Sequence, residues 1–121
     1  MANKLIMIVE DSPTDSKIAE DVCAEIGYRV ITVAEGDKVL ATAIEKSPDL
    51  ILLDVILPNK NGFQVCRQLK TNEETKDIKV IIVSSKDQAS DKFWGMKQGA
   101  DDYITKPYSE DDLIAAIRKN I

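Results

Sequence analysis

The sequence predicts a doubly wound α/β fold, in which helices cover both faces of a five-stranded parallel sheet with strand order 2-1-3-4-5. Short apolar segments and longer amphipathic segments alternate five times along the chain, which is typical of repeated strand-helix-strand units. One segment, 29–34, alternates and is rich in β-branched residues, and another, 49–53, is apolar throughout, as expected for a strand that is covered on both faces. At 121 residues, the chain is expected to form one domain over residues 1–121, with no output domain.

The first strand is expected at residues 4–9, a short apolar run without helical periodicity. Ser12 and Pro13 then supply an N-cap and a first-turn proline for a helix that Gly27 ends. The apolar stripe of this helix is expected to consist of residues spaced by four, namely Ile18, Val22 and Ile26.

The second and third strands are expected at 29–34 and 49–53, on either side of a helix at 37–46. Four apolar side chains of that helix should face inward, namely Val39, Leu40, Ala43 and Ile44. The third strand is apolar throughout, which indicates a central position in the sheet.

A turn-rich segment at 57–62 follows the third strand. The remaining elements are expected to be a helix at 63–71, a strand at 78–83, a helix at 88–98 ending at Gly99, a strand at 102–105 and a helix at 109–120. The last helix should bury its apolar residues, namely Leu113, Ile114 and Ile117.

The composition excludes several classes of protein. The net charge is −5 and no basic stripe is present, which argues against nucleic-acid binding. The chain lacks an apolar run long enough to span a bilayer, and its first residues show no apolar region and cleavage site of a signal peptide, so we expect a cytoplasmic protein without membrane contact. We also expect a monomer. Cys23 and Cys66 fall among apolar helix positions and are expected to be buried thiols. Because the chain has no histidine, it cannot carry a phosphohistidine or a histidine metal ligand.

Charged residues follow three of the predicted strands: Glu10 and Asp11 after the first, Asp54 after the third and Lys106 after the fifth. The first and third strands are neighbours in the predicted order, about 4.8 Å apart, and their carboxyl ends line the ligand crevice. Carboxylates so close together repel one another unless a cation neutralises them. An all-oxygen set of ligands favours Mg²⁺. For Asp11 alone, a favourable interaction with the helix dipole is the alternative explanation.

Ser84, at the end of the fourth strand, and Lys106 add a hydroxyl and a fixed cation to the same crevice. Taken singly, each has an ordinary explanation as a strand-end cap or a solvated lysine. Together with the acids they indicate a site where a carboxylate accepts a phosphoryl group, because that transfer depends mainly on positioning and charge neutralisation.

The chain resembles CheY-like response-regulator receiver domains, which have a flavodoxin-like fold, over essentially its whole length. The resemblance rests on motifs in matching order and spacing, namely Val9-Glu10-Asp11-Ser12, Leu53-Asp54-Val55-Ile56-Leu57-Pro58, Asn61-Gly62, Val83-Ser84-Ser85 and Tyr103-Ile104-Thr105-Lys106-Pro107. It implies a two-component response regulator that accepts a phosphoryl group from a sensor histidine kinase on Asp54, with Mg²⁺ as cofactor.

The resemblance also implies the roles of the residues around Asp54. Asp11 would bind Mg²⁺ directly, Glu10 largely through water, and the Ile56 backbone carbonyl would be the third protein ligand. Ser84 and Lys106 would each bind a phosphoryl oxygen, and the Lys106–Pro107 peptide bond would be cis. Tyr103 would be the switch aromatic, whose ring turns inward on phosphorylation.

Family members vary at the two positions that flank the incoming water, here Ile56 and Lys86, and the bulky Ile56 predicts slow self-dephosphorylation. The partner-binding face would comprise helix four, strand five and helix five, with Lys92, Met96 and Tyr103. On helix four we expect Phe93 to pack inside and Trp94 to lie partly over the helix surface; the alternative makes Trp94 a docking aromatic.

The segment 84–100 and Asp11-Ser12-Pro13-Thr14 resemble, more narrowly, stand-alone receivers of type IV pilus twitching motility and phototaxis. A downstream protein of such machinery would be the output partner, and the chain would be a switch and not an enzyme. The alternatives are a phosphate sink, or an aspartyl-phosphate phosphotransferase or phosphohydrolase, although the latter would carry Asp-x-Asp after strand one. A flavin-binding protein would need a Ser/Thr/Gly-rich phosphate loop at 10–16, where this chain has none.

Overall fold

The computed structural model describes residues 3–121 and confirms the predicted sheet, with five parallel strands in the order β2-β1-β3-β4-β5. The strands are β1 (Leu5–Val9), β2 (Arg29–Val33), β3 (Leu50–Leu53), β4 (Lys79–Ser84) and β5 (Asp102–Thr105). The helices are α1 (Pro13–Glu25), α2 (Val39–Lys46), α3 (Gly62–Thr71), α4 (Ala89–Lys97) and α5 (Glu110–Asn120), and a 3₁₀ turn at Gly36–Lys38 leads into α2.

The sheet separates two hydrophobic cores, because successive side chains of a strand point to opposite faces. In β1, Met7 packs into the core beneath α2 and α3, whereas Ile6 and Ile8 pack into the core beneath α1 and α5. β3 divides its four buried side chains between the same two cores. Burial on both faces explains why the central strands are apolar throughout.

The strand register brings the polar residues at the strand ends to one edge of the sheet. Val9 pairs with Leu53, so that the next residues, Glu10 and Asp54, leave the sheet side by side. The backbone N–H of Asp54 extends this ladder by donating to the Val9 carbonyl at 3.0 Å. On the other side, the Lys106 N–H donates to the Ser84 carbonyl at 2.9 Å.

The predicted apolar stripe of α1 is wrong at its first member. Val22 is buried and Ile26 partly buried, but Ile18 is 48% exposed. The helix packs instead through Ser16, Ala19, Val22 and Cys23. Ile18 lies about 100° from the buried Ala19 around the helix, at the flank of the buried face, and it lines a surface hollow with Pro107 and Tyr108.

The predicted inward position of Ile44 in α2 is also wrong. Ala43 is the buried residue of this turn, and Ile44, about 100° further round the helix, is exposed. Val39 and Ala43 therefore form the buried face of α2, with Leu40 partly buried beside them.

The predicted burial of Phe93 in α4 is wrong, since Phe93 is 64% exposed and Trp94 is 53% exposed. The helix meets the sheet through Gly95, where an added Cβ would lie 2.9 Å from Ile82 Cδ1 and 3.1 Å from the Tyr103 ring. Phe93 precedes Gly95 by two residues and so lies about 200° away around the helix, on the outer face.

The two cysteines are buried and free, as the sequence predicts. Burial raises the pKa of Cys23 to about 12 and that of Cys66 to about 11, because a thiolate is poorly solvated in the core. Within residues 3–121, none of the helices combines the length and the apolar character needed to cross a bilayer.

Candidate functional site

Three carboxylates meet at the carboxyl ends of β1 and β3. Carboxylate oxygens of Glu10, Asp11 and Asp54 all lie within 4.8 Å of one another. Glu10 and Asp54 are buried, whereas Asp11 is exposed at the mouth of the crevice. The sequence-based prediction that these acids converge is therefore confirmed by the geometry.

The backbone that follows β3 holds the Asp54 side chain in place. Asp54 Oδ1 accepts a hydrogen bond from the Ile56 N–H at 3.0 Å. The N–H of Gly62, at the start of α3, donates to the Val55 carbonyl at 3.0 Å. A Cβ on Gly62 would lie 2.2 Å from Val55 Cα, so only glycine lets α3 begin this close to the acceptor segment.

Lys106 places its ammonium group among the acids. Its Nζ donates to Asp54 Oδ2 at 3.0 Å and to Asp15 Oδ2 at 2.9 Å, and it also donates to Glu10 Oε1. An ammonium group has three N–H donors, and these three acceptors take all of them. The Lys106–Pro107 peptide bond that follows is cis, as the resemblance implies.

Burial and pairing act in opposite directions on these groups. Burial by itself lowers the pKa of Lys106, but the hydrogen bonds to Glu10, Asp15 and Asp54 outweigh it, and the pKa is raised overall. For Glu10, burial raises the pKa and outweighs the hydrogen bonds from Lys106 and the Ser12 N–H. One lysine thus neutralises this concentration of negative charge only in part.

Ser84 ends β4, the strand next to β3, and Tyr103 lies on β5. Ser84 is fully buried, and its Oγ accepts a hydrogen bond from the Lys86 N–H at 3.3 Å. The Tyr103 hydroxyl donates to the Lys86 carbonyl at 2.7 Å. Burial raises the pKa of Tyr103. The loop after β4 therefore contacts both residues to which the resemblance assigns a switching role.

The other predicted site residues are spread over the surface. Ile56 and Lys86 are exposed on the loops after β3 and β4. Lys92 and Met96 are exposed on α4, alongside Phe93 and Trp94.

Asp15 is the member of this cluster that the sequence analysis missed. It lies in the first turn of α1, where an acidic residue has an ordinary explanation in the helix dipole. One signal was available: Asp15 is three residues after the N-cap Ser12, in the spacing of a capping box. Its carboxylate instead contacts Lys106, 91 residues along the chain.

The donor set fits a hard divalent cation. Glu10, Asp11 and Asp54 offer only oxygen atoms, in the number and charge that suit Mg²⁺ with part of its water shell retained. Arrangements of this kind, with a lysine opposite the acids, can neutralise a phosphoryl group attached to one of the carboxylates.

Comparisons with known proteins agree with this geometry. The sequence model of a family described as "Response regulator receiver domain" matches residues 6–118. Protein PilH of Pseudomonas aeruginosa is 44% identical over 112 residues, which cover 93% of each chain. Protein PilG of the same organism is 36% identical over 96% of this chain and 86% of its own length.

A solved structure shares the fold and holds an ion in its site. The receiver domain of sensor histidine kinase PA1611 from Pseudomonas aeruginosa superposes with a TM-score of 0.90 at 27% identity, covering 98% of both chains. That structure is described as having a magnesium ion coordinated in the active site cleft.

Proposed function

The chain belongs to the response regulator receiver domain family, and on that premise we propose that Asp54 accepts a phosphoryl group in a Mg²⁺-dependent reaction that switches a protein-binding surface. The observation that carries the proposal is the meeting of Asp54, two further acids and the Lys106 ammonium at one crevice. The donor would be the phosphohistidine of a sensor kinase, because this chain has no histidine of its own.

The residues around Asp54 support the transfer in complementary ways. A carboxylate oxygen of Asp54 attacks phosphorus, the new P–O bond forms as the P–N bond to the kinase histidine breaks, and the histidine nitrogen keeps the electron pair. The Ile56 N–H and Lys106 hold the Asp54 carboxylate ready for this attack. Ser84 and Lys106 would then bind phosphoryl oxygens of the acyl phosphate.

The metal would be held by Glu10, Asp11, Asp54 and the Ile56 backbone carbonyl, and when bound it would neutralise charge on the transferred phosphoryl group. Two observations support this assignment: three of these ligands are carboxylates, and their oxygen atoms lie within 4.8 Å of one another.

The output would be a change in the surface formed by α4, β5 and α5, with Lys92, Met96 and Tyr103. The bond from the Tyr103 hydroxyl to the Lys86 carbonyl links this surface to the loop that follows Ser84. A shift of Ser84 toward a phosphoryl group would pull on that loop and release Tyr103 to turn inward. The chain would thus be a binding switch and not an enzyme acting on a separate substrate.

We assign the pathway to motility signalling in the cytoplasm, of the type IV pilus or phototaxis kind. The narrower resemblance of segment 84–100 and the similarity to PilH and PilG support this assignment. A phosphate sink that drains a sister regulator would use the same Asp54 chemistry. Transfer kinetics from one kinase to two regulators would distinguish a sink from a regulator with its own target.

Incubation with Mg²⁺ and acetyl phosphate tests the acceptor directly, with the intact mass as the readout. The wild type should gain one phosphoryl group, and Asp54→Ala should gain none. Asp21→Asn, which removes an exposed acid paired with Lys17 at 2.9 Å on α1, is the matched control and should be labelled like the wild type. Equal labelling of wild type and Asp54→Ala would refute the proposal.

A further inference from the structure

Asp15 contacts the Lys106 ammonium group together with the two buried acids, Glu10 and Asp54. It is neither a predicted metal ligand nor the phosphoacceptor. Its Oδ2 lies 2.9 Å from Lys106 Nζ. The Asp15 side chain is 41% exposed, whereas those of Glu10 and Asp54 are 8% exposed. Asp15 is thus the acceptor that water can most readily solvate if Lys106 leaves it.

The local hydrogen bonds at the start of α1 release Asp15 for this contact. The Asp15 N–H donates to Ser12 Oγ at 3.3 Å, which is one half of a capping box. In the other half, the carboxylate at this position would accept from the Ser12 N–H. Here the Ser12 N–H donates to Glu10 Oε2 at 3.2 Å, so the Asp15 carboxylate is left to turn toward Lys106.

All three N–H groups of Lys106 are taken by carboxylates in the unphosphorylated protein, and one of these carboxylates is Asp54 itself, which loses its charge when it becomes an acyl phosphate. Of the other two bonds, the one to Asp15 costs less to give up, because this carboxylate has water at hand. Until it is given up, the negative charge of Asp15 also opposes the approach of an anionic group to the same lysine.

We propose that Asp15 is a positioning residue that holds Lys106 in the unphosphorylated protein and thereby weakens the affinity of the site for a phosphoryl group. The inference rests on the proposed function, since it assigns Lys106 to the phosphoryl group. Because Asp15 holds Lys106 in the unphosphorylated protein, removing the Asp15 carboxylate strengthens the binding of a phosphoryl group. The loss of a contact with a merely structural role would weaken that binding.

Trifluoroberyllate, a tetrahedral analogue of the phosphoryl group, tests the proposal in the full chain at saturating Mg²⁺ by ¹⁹F NMR titration. Asp15→Asn should bind it roughly two- to fivefold more tightly than the wild type, the range expected for a partly exposed ion pair. Asp15→Glu, which keeps the charge, should restore an affinity close to that of the wild type.

The matched control is Asp21→Asn, which also removes one negative charge and one ion pair from α1 but lies away from Lys106. It should bind trifluoroberyllate like the wild type. Unchanged or weaker binding by Asp15→Asn, or an equal gain in Asp21→Asn, overturns the proposal.

A second measurement separates this inference from the proposed function. In metal-free protein, the ¹⁵Nζ resonance of Lys106 should shift in Asp15→Asn and stay in place in Asp21→Asn. If the resonance does not shift, the contact that carries the inference is absent, whatever the phosphoryl chemistry. If the resonance shifts in Asp15→Asn but neither the wild type nor Asp15→Asn binds trifluoroberyllate, the contact is present, the proposed function fails, and the restraint on phosphoryl binding fails with it.

Discussion

At the residue scale, the site holds more negative charge than its single lysine can balance. Glu10, Asp15 and Asp54 all contact Lys106, and Asp11 lies beside Glu10 and Asp54. Like charges held this close raise the free energy of the folded protein. The site is therefore arranged to bind added positive charge, which is the electrostatic basis for the proposed Mg²⁺ dependence.

The repulsion among these acids makes the stability of the folded protein depend on pH through Glu10. Its pKa in the folded protein is raised above the ordinary value of 4.5, chiefly by burial. The stability that its protonation contributes is therefore complete below about 4.5 and is lost as the pH rises through the folded-state value. In EDTA, the free energy of unfolding of Glu10→Gln minus that of the wild type should grow from pH 4.5 to pH 7. A difference that stays constant or shrinks over this range would contradict the assignment.

Ile56 is expected to shield the acyl phosphate from water. Ile56→Asn replaces an exposed apolar side chain beside Asp54 with one that can hold a water molecule. The half-life of phosphorylated Asp54 should shorten about tenfold, equivalent to ~1.4 kcal/mol in the barrier to hydrolysis. Loss of ³²P from labelled protein measures it. Ile44→Asn, a similarly exposed position on α2, should keep the wild-type half-life, and an unchanged half-life in Ile56→Asn would count against shielding.

At the scale of elements, the register of β1 with β3 and the start of α3 place Asp54. Gly62 lets α3 approach the segment after β3 so closely that an alanine Cβ would overlap Val55 Cα. This close packing matters for function as well as stability, because a Cβ added at Gly62 would also lie 2.7 Å from the backbone carbonyl oxygen of Asp54.

Gly62→Ala should therefore destabilise the fold by about 1–3 kcal/mol or more and should also slow labelling by acetyl phosphate. Gly27→Ala is the comparison, since Gly27 has φ of 93° and open space around it. That variant should cost about 1–2 kcal/mol through backbone strain alone, with labelling unaffected. Denaturant unfolding measures the loss of stability, and the rate of labelling by acetyl phosphate measures the effect on the site. Normal labelling of Gly62→Ala would show that the reactivity of Asp54 does not depend on the close packing of α3 against the segment after β3.

The sequence predicted the elements and the three-acid cluster because both follow from local pattern and parallel topology. It failed at Ile18, Ile44 and Phe93, since the spacing of apolar residues does not fix which arc of a helix turns toward the sheet. It missed Asp15, because the diversion of a capping-box carboxylate depends on Glu10 taking the Ser12 N–H. The contact of Asp15 with Lys106, 91 residues along the chain, is a tertiary effect that spacing does not reveal.

At the scale of the whole molecule, the proposed metal binding would be linked to folding. The proposed ligands come together only where β1 and β3 are assembled, so Mg²⁺ should stabilise the folded chain. At a free Mg²⁺ concentration 100 times its Kd, the free energy of unfolding should rise by about 2.7 kcal/mol. Asp11→Asn should lose this gain, whereas its stability in EDTA should equal or exceed that of the wild type, because the change removes a negative charge that repels Glu10 and Asp54. Denaturant titrations with and without Mg²⁺ check this, and an equal gain in both proteins would place the metal elsewhere.

The central claim is that Asp54 itself becomes the acyl phosphate, and locating the modified residue tests it most directly. After treatment with Mg²⁺ and acetyl phosphate, borohydride reduction converts an aspartyl phosphate to homoserine, which peptide mass spectrometry can assign to one position. The account predicts homoserine at position 54, with Mg²⁺ required for its formation. Homoserine at another acidic position, or its absence from a protein that has gained phosphate, would contradict the account.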